Sequence, residues 1–379
     1  MWALGRRWRP RGPLSKQQQD QSEFTFPSAT DMRTIKSTLV VLLITLVLIL
    51  ISAEIFLRYS PPLARPPFSE NRIPAAICRP DPRLGWVNQP GRYTAPGASR
   101  KDRPVTITIR HDGRRAVTAQ NLDTGNDLRG KIILVGGSFM FGEGLSDEQT
   151  LAWKLQHTLP ETDVLNYGVK AYGTYQSLLM LEKVLPGQRR TDAVVYGFMV
   201  HHIDRNMAPA YWRAMLNLRS NQMVQMPYVT LGPENQLLRH PTEPFTPWLA
   251  GRYLASFRVL EAWLKAKLFL AGNNTEKHTL MQLLLLEMRN LCKAHGYPLV
   301  VAMLNAPHNV EDLYTEFCRT NHIPVINFDL DGIKDRPLQI PQDGHPNETV
   351  NTLWADQTAA FLAELMGSQG NDTNDTGVP

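Results

Sequence analysis

Two short segments hold the residue types that could do covalent chemistry. In the first, Ile132-Ile-Leu-Val135-Gly136-Gly137-Ser138-Phe139-Met140-Phe141-Gly142, an apolar β-branched run ends in two glycines and a serine follows at once. A strand that stops there and turns into a helix leaves the serine at the C-terminal edge of a sheet, where open α/β folds bind ligands. Glycine also lets the backbone approach a reacting carbonyl. A serine hydroxyl is a poor nucleophile until a neighbouring base removes its proton. The second segment, Asp343-Gly344-His345-Pro346-Asn347, supplies such a base. Pro346 biases His345 toward extended backbone, and Asn347 is a good N-cap for the helix that follows. Asp343 can accept from one ring nitrogen and leave the other facing the serine. Taken alone, Asp-Gly-His is also the composition of a solvated turn.

Other chemistries fit less well. A phosphate-binding turn lacks its Lys-Ser/Thr or its third glycine, and the G-x-S-x-G elbow fails because Met140 stands where the second glycine belongs. His201, His202, Asp343 and His345 are possible ligands for a divalent metal, but no H-x-x-x-H pair or carboxylate cluster accompanies them. The expectation is a site that needs no metal and no cofactor. His111, His308 and His322 read as surface or structural residues. Three cysteines are too few for a disulfide framework. Cys292 and Cys318 fall in successive predicted helices flanking one strand, which leaves a bridge and two buried thiols both open.

The elements that must position these residues follow from periodicity. From Lys131 onward, apolar runs at Ile132–Val135, Asp163–Asn166, Ala193–Phe198, Leu299–Met303 and Pro324–Phe328 alternate with helical windows. The windows are Glu148–Leu159, Tyr175–Leu185, Thr279–His295, Val310–Thr320 and Val350–Leu365. Nearly continuous apolar strands between helices predict a parallel sheet covered on both faces, a three-layer α/β domain over 131–366. Residues 207–275 interrupt the rhythm. Aromatic side chains and five prolines predict an insertion of loops and short helices there, serving as lid, membrane-facing surface or ordinary packing. Residues 58–130 read as a linker and a small strand-and-turn region around Val105-Thr-Ile-Thr-Ile109. The tail 367–379 lacks an apolar pattern and is expected to be disordered.

The formal charge of +5 lies mostly at one end. Residues 1–36 carry seven Lys/Arg against three Asp/Glu, a net of +4, which leaves +1 for the rest. The body therefore has no basic excess for nucleic acid. Ser37–Ala53 is uncharged, and residues 37–57 are long enough for one transmembrane helix. The preceding Lys/Arg residues put a basic arm, 1–36, in the cytoplasm and the remainder outside. Ile51-Ser52-Ala53 resembles a signal-peptidase site, but the apolar run is longer than an export signal needs. Met32, followed by Arg33 and Lys36, is an alternative translation start.

Taken in order, Gly136-Gly137-Ser138, Asn166-Tyr167-Gly168 and Asp343-Gly344-His345-Pro346-Asn347 resemble blocks I, II and V of the SGNH (GDSL-like) hydrolase superfamily. Glu54-Ile-Phe-Leu-Arg58, Pro82-Arg-Leu-Gly-Trp86, Arg110-His-Asp-Gly-Arg114 and Tyr172-Gly-Thr-Tyr-Gln176 are similar to its single-span bacterial members. The resemblance implies a flavodoxin-like five-stranded sheet, Ser138 as nucleophile, His345 as base and Asp343 as its orienting acid. It maps two oxyanion donors onto the N–H groups of Ser138 and Gly168. The third block departs from the family's Gly-x-Asn-Asp: Gly197-Phe-Met-Val-His201-His202-Ile-Asp204-Arg205-Asn206 has histidines there. A neutral imidazole can donate one N–H, so His201 is a candidate third donor, with space-filling or structural bonding as its alternative. The implied activity is an inner-membrane-anchored serine esterase acting on an acylated envelope glycan or another ester. An O-acyltransferase using the same site and a non-catalytic binding protein on this scaffold are the alternatives. A topology reporter fused to the C-terminus is expected to register outside the cytoplasm; a cytoplasmic signal contradicts the charge argument.

Overall fold

The computed structural model describes residues 29–59, 77–95, 104–119, 130–219, 224–244, 246, 248–272, 274–328, 330, 337–341 and 343–372. Helix α1 (Ala29–Tyr59) contains the stretch Lys36–Arg58, 23 residues of mean hydropathy 2.9, long and apolar enough to cross a membrane. Its Leu, Val and Ile side chains are exposed along their length. Up to Ile55 the helix belongs to a unit of its own.

The second unit begins with two hairpins. Strands β1 (Cys78–Asp81) and β2 (Gly85–Asn88) pair antiparallel, as do β3 (Gly91–Ala95) and β4 (Val105–Ile109). Alternation along β4 turns Val105, Ile107 and Ile109 inward onto Ile77, Ala95 and Phe141. The small strand-and-turn region thus has its own core and leans on the segment that carries Ser138.

The main domain then runs through β5 (Gly130–Gly136), α2 (Ser138–Phe141), α3 (Leu151–Thr158), β6 (Thr162–Asn166), α4 (Thr174–Val184), β7 (Thr191–Met199) and α5 (Val200–Arg205). The insertion follows as α6 (Ala210–Arg219), β8 (Gln225–Leu231), β9 (Leu237–Pro244), α7 (Leu249–Tyr253) and α8 (Ala255–Gly272). The chain closes with α9 (Asn274–Ala294), β10 (Leu299–Asn305), α10 (His308–Thr320), β11 (Val325–Asn327) and α11 (Glu348–Asp372). Five strands form one parallel sheet in the order β11-β10-β7-β5-β6, which is the flavodoxin-like arrangement expected from the sequence.

Successive strand residues face opposite layers, which is why these strands read as unbroken apolar runs. Ile133 and Val135 of β5 pack with α4, α9 and α10, through residues such as Leu181, Met288 and Tyr314. Ile132 and Leu134 pack with α3 and α11, through Leu155, Trp354 and Leu362. Cys292 and Cys318 both lie in the first of these layers as free thiols, and burial pushes each up to about 12.

Two expectations need correction. The insertion contains an antiparallel hairpin, β8–β9, although Pro227, Pro241 and Pro244 lie within it. A two-stranded ribbon tolerates proline because half of its N–H groups face outward, and Pro227 sits at the register shift between Met226 and Tyr228. Helix α11 continues past Gly367 to Asp372, since a helix anchored by packing extends at the cost of one residue at a time. Residues 373–379 of the expected tail, like most of the basic arm, lie outside the described residues.

One buried cation joins these parts. Arg115 is fully enclosed; its guanidinium donates to the carbonyls of Phe141 (2.8 Å), Gly142 (2.5 Å) and Leu145 (2.5 Å) and pairs with Asp147 at 3.2 Å. Its backbone N–H donates to Asn166 at the end of β6. Arg115→Leu leaves Asp147 buried without its counter-charge and is expected to cost about 3–5 kcal/mol, seen as a lowered urea midpoint of the full chain in detergent.

Candidate active site

Ser138 stands at the first position of α2, a single turn that Gly142 ends in the left-handed conformation (φ 79°). The first N–H groups of a helix have no intrahelical acceptor, so the Ser138 N–H is open at the sheet edge. The turn is tight around its glycines. A Cβ on Gly137 would fall 2.6 Å from His202 Nε2, and one on Gly168 would fall 2.6 Å from the Phe141 backbone nitrogen.

His345 is held from the opposite side. Its loop is closed by bonds from Ile340 N–H to the His345 carbonyl and from Asp343 N–H to the Ile340 carbonyl. Asn347 caps α11 as expected, its Oδ1 accepting from Val350 N–H at 3.2 Å. Asn351 accepts from Leu151 N–H, and Glu348 reaches Lys154 and Gln149, so the starts of α11 and α3 are fastened together. These contacts bring the imidazole edge-on to Phe139, the residue after Ser138, with ring centroids 5.5 Å apart.

The ring has carboxylates at both nitrogens. Nδ1 is hydrogen-bonded to Asp343 Oδ1, and Nε2 lies 3.5 Å from Glu143 Oε2. Ser138 and Asp343 are 5% and 4% exposed, and the His345 side chain 13%. Burial lowers the pKa of this imidazole, but Glu143 and then Asp343 favour its charged form and the net shift is upward. Among the described residues the Ser138 hydroxyl has no hydrogen-bond partner. Sequence reasoning missed Glu143: it stands five residues after Ser138 in a Gly-Glu-Gly turn, which carries no sign of the loop it faces.

The remaining candidates separate. Gly168 lies beside α2 as expected, and its N–H donates to Asn166 Oδ1 at 2.9 Å. Three residues on, Ala171 adopts φ 66°, a strained value for a residue with a Cβ. His201 lies on α5 with exposed surface, and partial burial and then Arg205 lower its pKa. Its neighbour His202 is fully buried and faces Gly137. A chain of contacts assigns its tautomer: Nδ1 to Tyr196 Oη at 2.7 Å, Tyr196 to Thr174 Oγ1 at 2.7 Å, and Thr174 to Met281 Sδ at 2.9 Å. All three are satisfied when each group donates to the next, which leaves Nε2 as a bare acceptor. Burial and the neighbouring Arg205 lower its pKa further, so His202 stays neutral. In this tautomer His202 offers no N–H on its Nε2 side.

The positive group in that place is Arg205. It donates to the Tyr172 carbonyl at 3.1 Å, and that same oxygen borders Gly137. The guanidinium lies 4.3 Å above Trp212 of the insertion, and burial brings its pKa down to about 10, which still leaves it charged at neutral pH. Trp86 and Gln176 also clamp this wall, donating to the Lys170 and Leu84 carbonyls.

No family model and no curated protein matches the chain. Solved structures similar to it include TesA, at 14% identity over 62% of this chain and 99% of that one, with a TM-score of 0.37. The psychrotrophic esterase EstA from Pseudoalteromonas sp. matches at 12% identity over 63% of this chain and 99% of its own, TM-score 0.37. AlinE4, an SGNH-hydrolase family esterase, matches at 15% over 66% and 98%, TM-score 0.32. At such identities and scores the reading of the site rests on its own geometry. That geometry gives Gly168 a packing role. Gly168→Ala is expected to destabilise the chain by about 1–3 kcal/mol through overpacking against α2, measured as a lowered thermal midpoint.

Proposed function

We propose that this protein is a membrane-anchored serine esterase that removes O-acyl groups from an envelope glycan through an acyl-enzyme. The observation that carries the esterase reading is the Asp343–His345 pair held beside the turn on which Ser138 opens α2. Ser138 Oγ bonds to the ester carbonyl carbon while its proton passes to His345 Nε2. Collapse breaks the ester C–O bond, and the proton moves to the leaving alkoxide. Water then repeats the sequence on the acyl-enzyme, releasing the acid and restoring the serine. Asp343 keeps the ring in the required orientation and offsets its transient charge.

The oxyanion is assigned to the Ser138 N–H, with the buried positive charge of Arg205 behind Gly137 in place of the amide of the resembled family. A dry, low-dielectric site strengthens both contributions. The envelope location and glycan substrate draw on the apolar stretch of α1, the basic residues before it and the resemblance of the motifs. An acyl group handed to a sugar hydroxyl instead of water would make the same intermediate serve transfer.

Full-length protein in detergent is expected to label with a fluorophosphonate probe at Ser138, while Ser138→Ala and His345→Ala give no label. Absence of serine-dependent labelling contradicts the esterase reading and leaves a binding protein. Free acid formed from an acetylated glycan, unchanged by an added acceptor sugar, separates hydrolysis from transfer.

A further inference from the structure

Glu143 has no part in the catalytic sequence above, yet it occupies the side of His345 that the serine must use. Its carboxylate stands 3.5 Å from Nε2, and its side chain is 15% exposed. It follows α2 directly, its own N–H donating to the Ser138 carbonyl. The turn behind it is tied down by Arg115, through Gly142 and Leu145. Gly144, with φ 82°, lies against Ile340 and Asp343 of the His345 loop. The backbone that carries this carboxylate is therefore held by two packed loops.

We propose that Glu143 is a positioning residue that holds the Nε2 edge of His345 away from Ser138, so that the serine is activated only when the imidazole leaves this carboxylate. The inference rests on the reading of Ser138 and His345 as nucleophile and base. A separation of 3.5 Å is an ion contact, longer than the 2.7–3.2 Å of a hydrogen bond. A hydroxyl at bonding distance from a neutral ring can displace it. While the ring is protonated it cannot accept the serine proton, and two carboxylates hold it.

Among the described residues, charged groups approach the ring from three elements: Asp343 from its own loop, Glu143 from the turn after α2, and Arg205 from α5. Phe139 meets the ring edge-on. The fields of Arg115 and Arg205 reach Glu143. Glu143, like Asp343, raises the pKa of His345, so its removal shifts the base form toward lower pH.

The test compares wild type, Glu143→Gln and Glu143→Asp as full chains in detergent, with two readouts. Ring signals of labelled histidine, assigned to His345 by their loss in His345→Asn, report its titration without any turnover. Fluorophosphonate labelling of Ser138 across pH reports activation. The expected result is a lower His345 midpoint in Glu143→Gln, faster labelling than wild type at acidic pH, and matching rates at alkaline pH. Glu143→Asp should titrate between them, and it carries the test if the glutamine variant fails to fold. An unchanged midpoint overturns the proposal. A lowered midpoint with an unmoved labelling profile also overturns it, because serine activation then does not follow the state of this ring. Serine labelling absent from every variant beside a lowered midpoint refutes the esterase reading and, with it, the gate, while the Glu143–His345 contact stands.

Discussion

The buried guanidinium of Arg115 organises this site from beneath. A turn such as 141–147, which closes a one-turn helix and must expose a serine, has carbonyls that no regular element satisfies. Arg115 meets three of them and Asp147 together, while its backbone N–H bonds the end of β6. Desolvating a cation is costly, and burial lowers the pKa of this one. The cost is offset because every contact is charge-assisted and placed by a planar fork of donors that lysine could not reproduce. The return is rigidity: β4, β6, α2 and the Glu143 turn cannot move independently.

His345 is fixed by an unrelated set of bonds. Asn347 and Asn351 satisfy the first turn of α11 and the start of α3, on the sheet face opposite α4 and α9. Ser138 and His345, the proposed nucleophile and base, thus come from segments remote in the chain, each held by its own buried polar residues. Phe139 joins them physically, stacked on Trp354 of α11 and meeting the His345 ring with its edge. Fixing both segments in this way limits the motion left to the two side chains themselves.

The polar cluster at the strand ends holds charge of both signs in an otherwise apolar environment. Glu143 and Asp343 flank the imidazole, and Arg205 sits behind Gly137. Tyr196, His202, Thr174 and Met281 form a neutral chain beneath it. Charged groups thus border the turn that carries Ser138, while the buried layer below it stays uncharged. The insertion adds Trp212 over Arg205, which shields that cation from water.

Much of this was legible without coordinates, and the rest was not, for definite reasons. The five strands announce themselves because a sheet covered on both faces leaves no polar positions in Ile132–Val135 or Leu299–Met303. The glycines before Ser138 and the cap at Asn347 are local, and local requirements are written in adjacent residues. The β8–β9 hairpin was hidden because proline speaks against strands except at bulges and outward-facing positions, which only pairing reveals. Glu143 was hidden because its significance lies in what it faces. Nothing at position 143 records that a loop ending at His345 will come within 3.5 Å of it. The same holds for His201 and His202, adjacent in sequence but opposite in burial, since one helical step carries a side chain from solvent into the core. Residue order by itself determined the fold class and singled out Ser138, Asp343 and His345 as candidates. Tertiary packing decided which nitrogen meets which carboxylate, because such contacts depend on distances between segments remote in the chain.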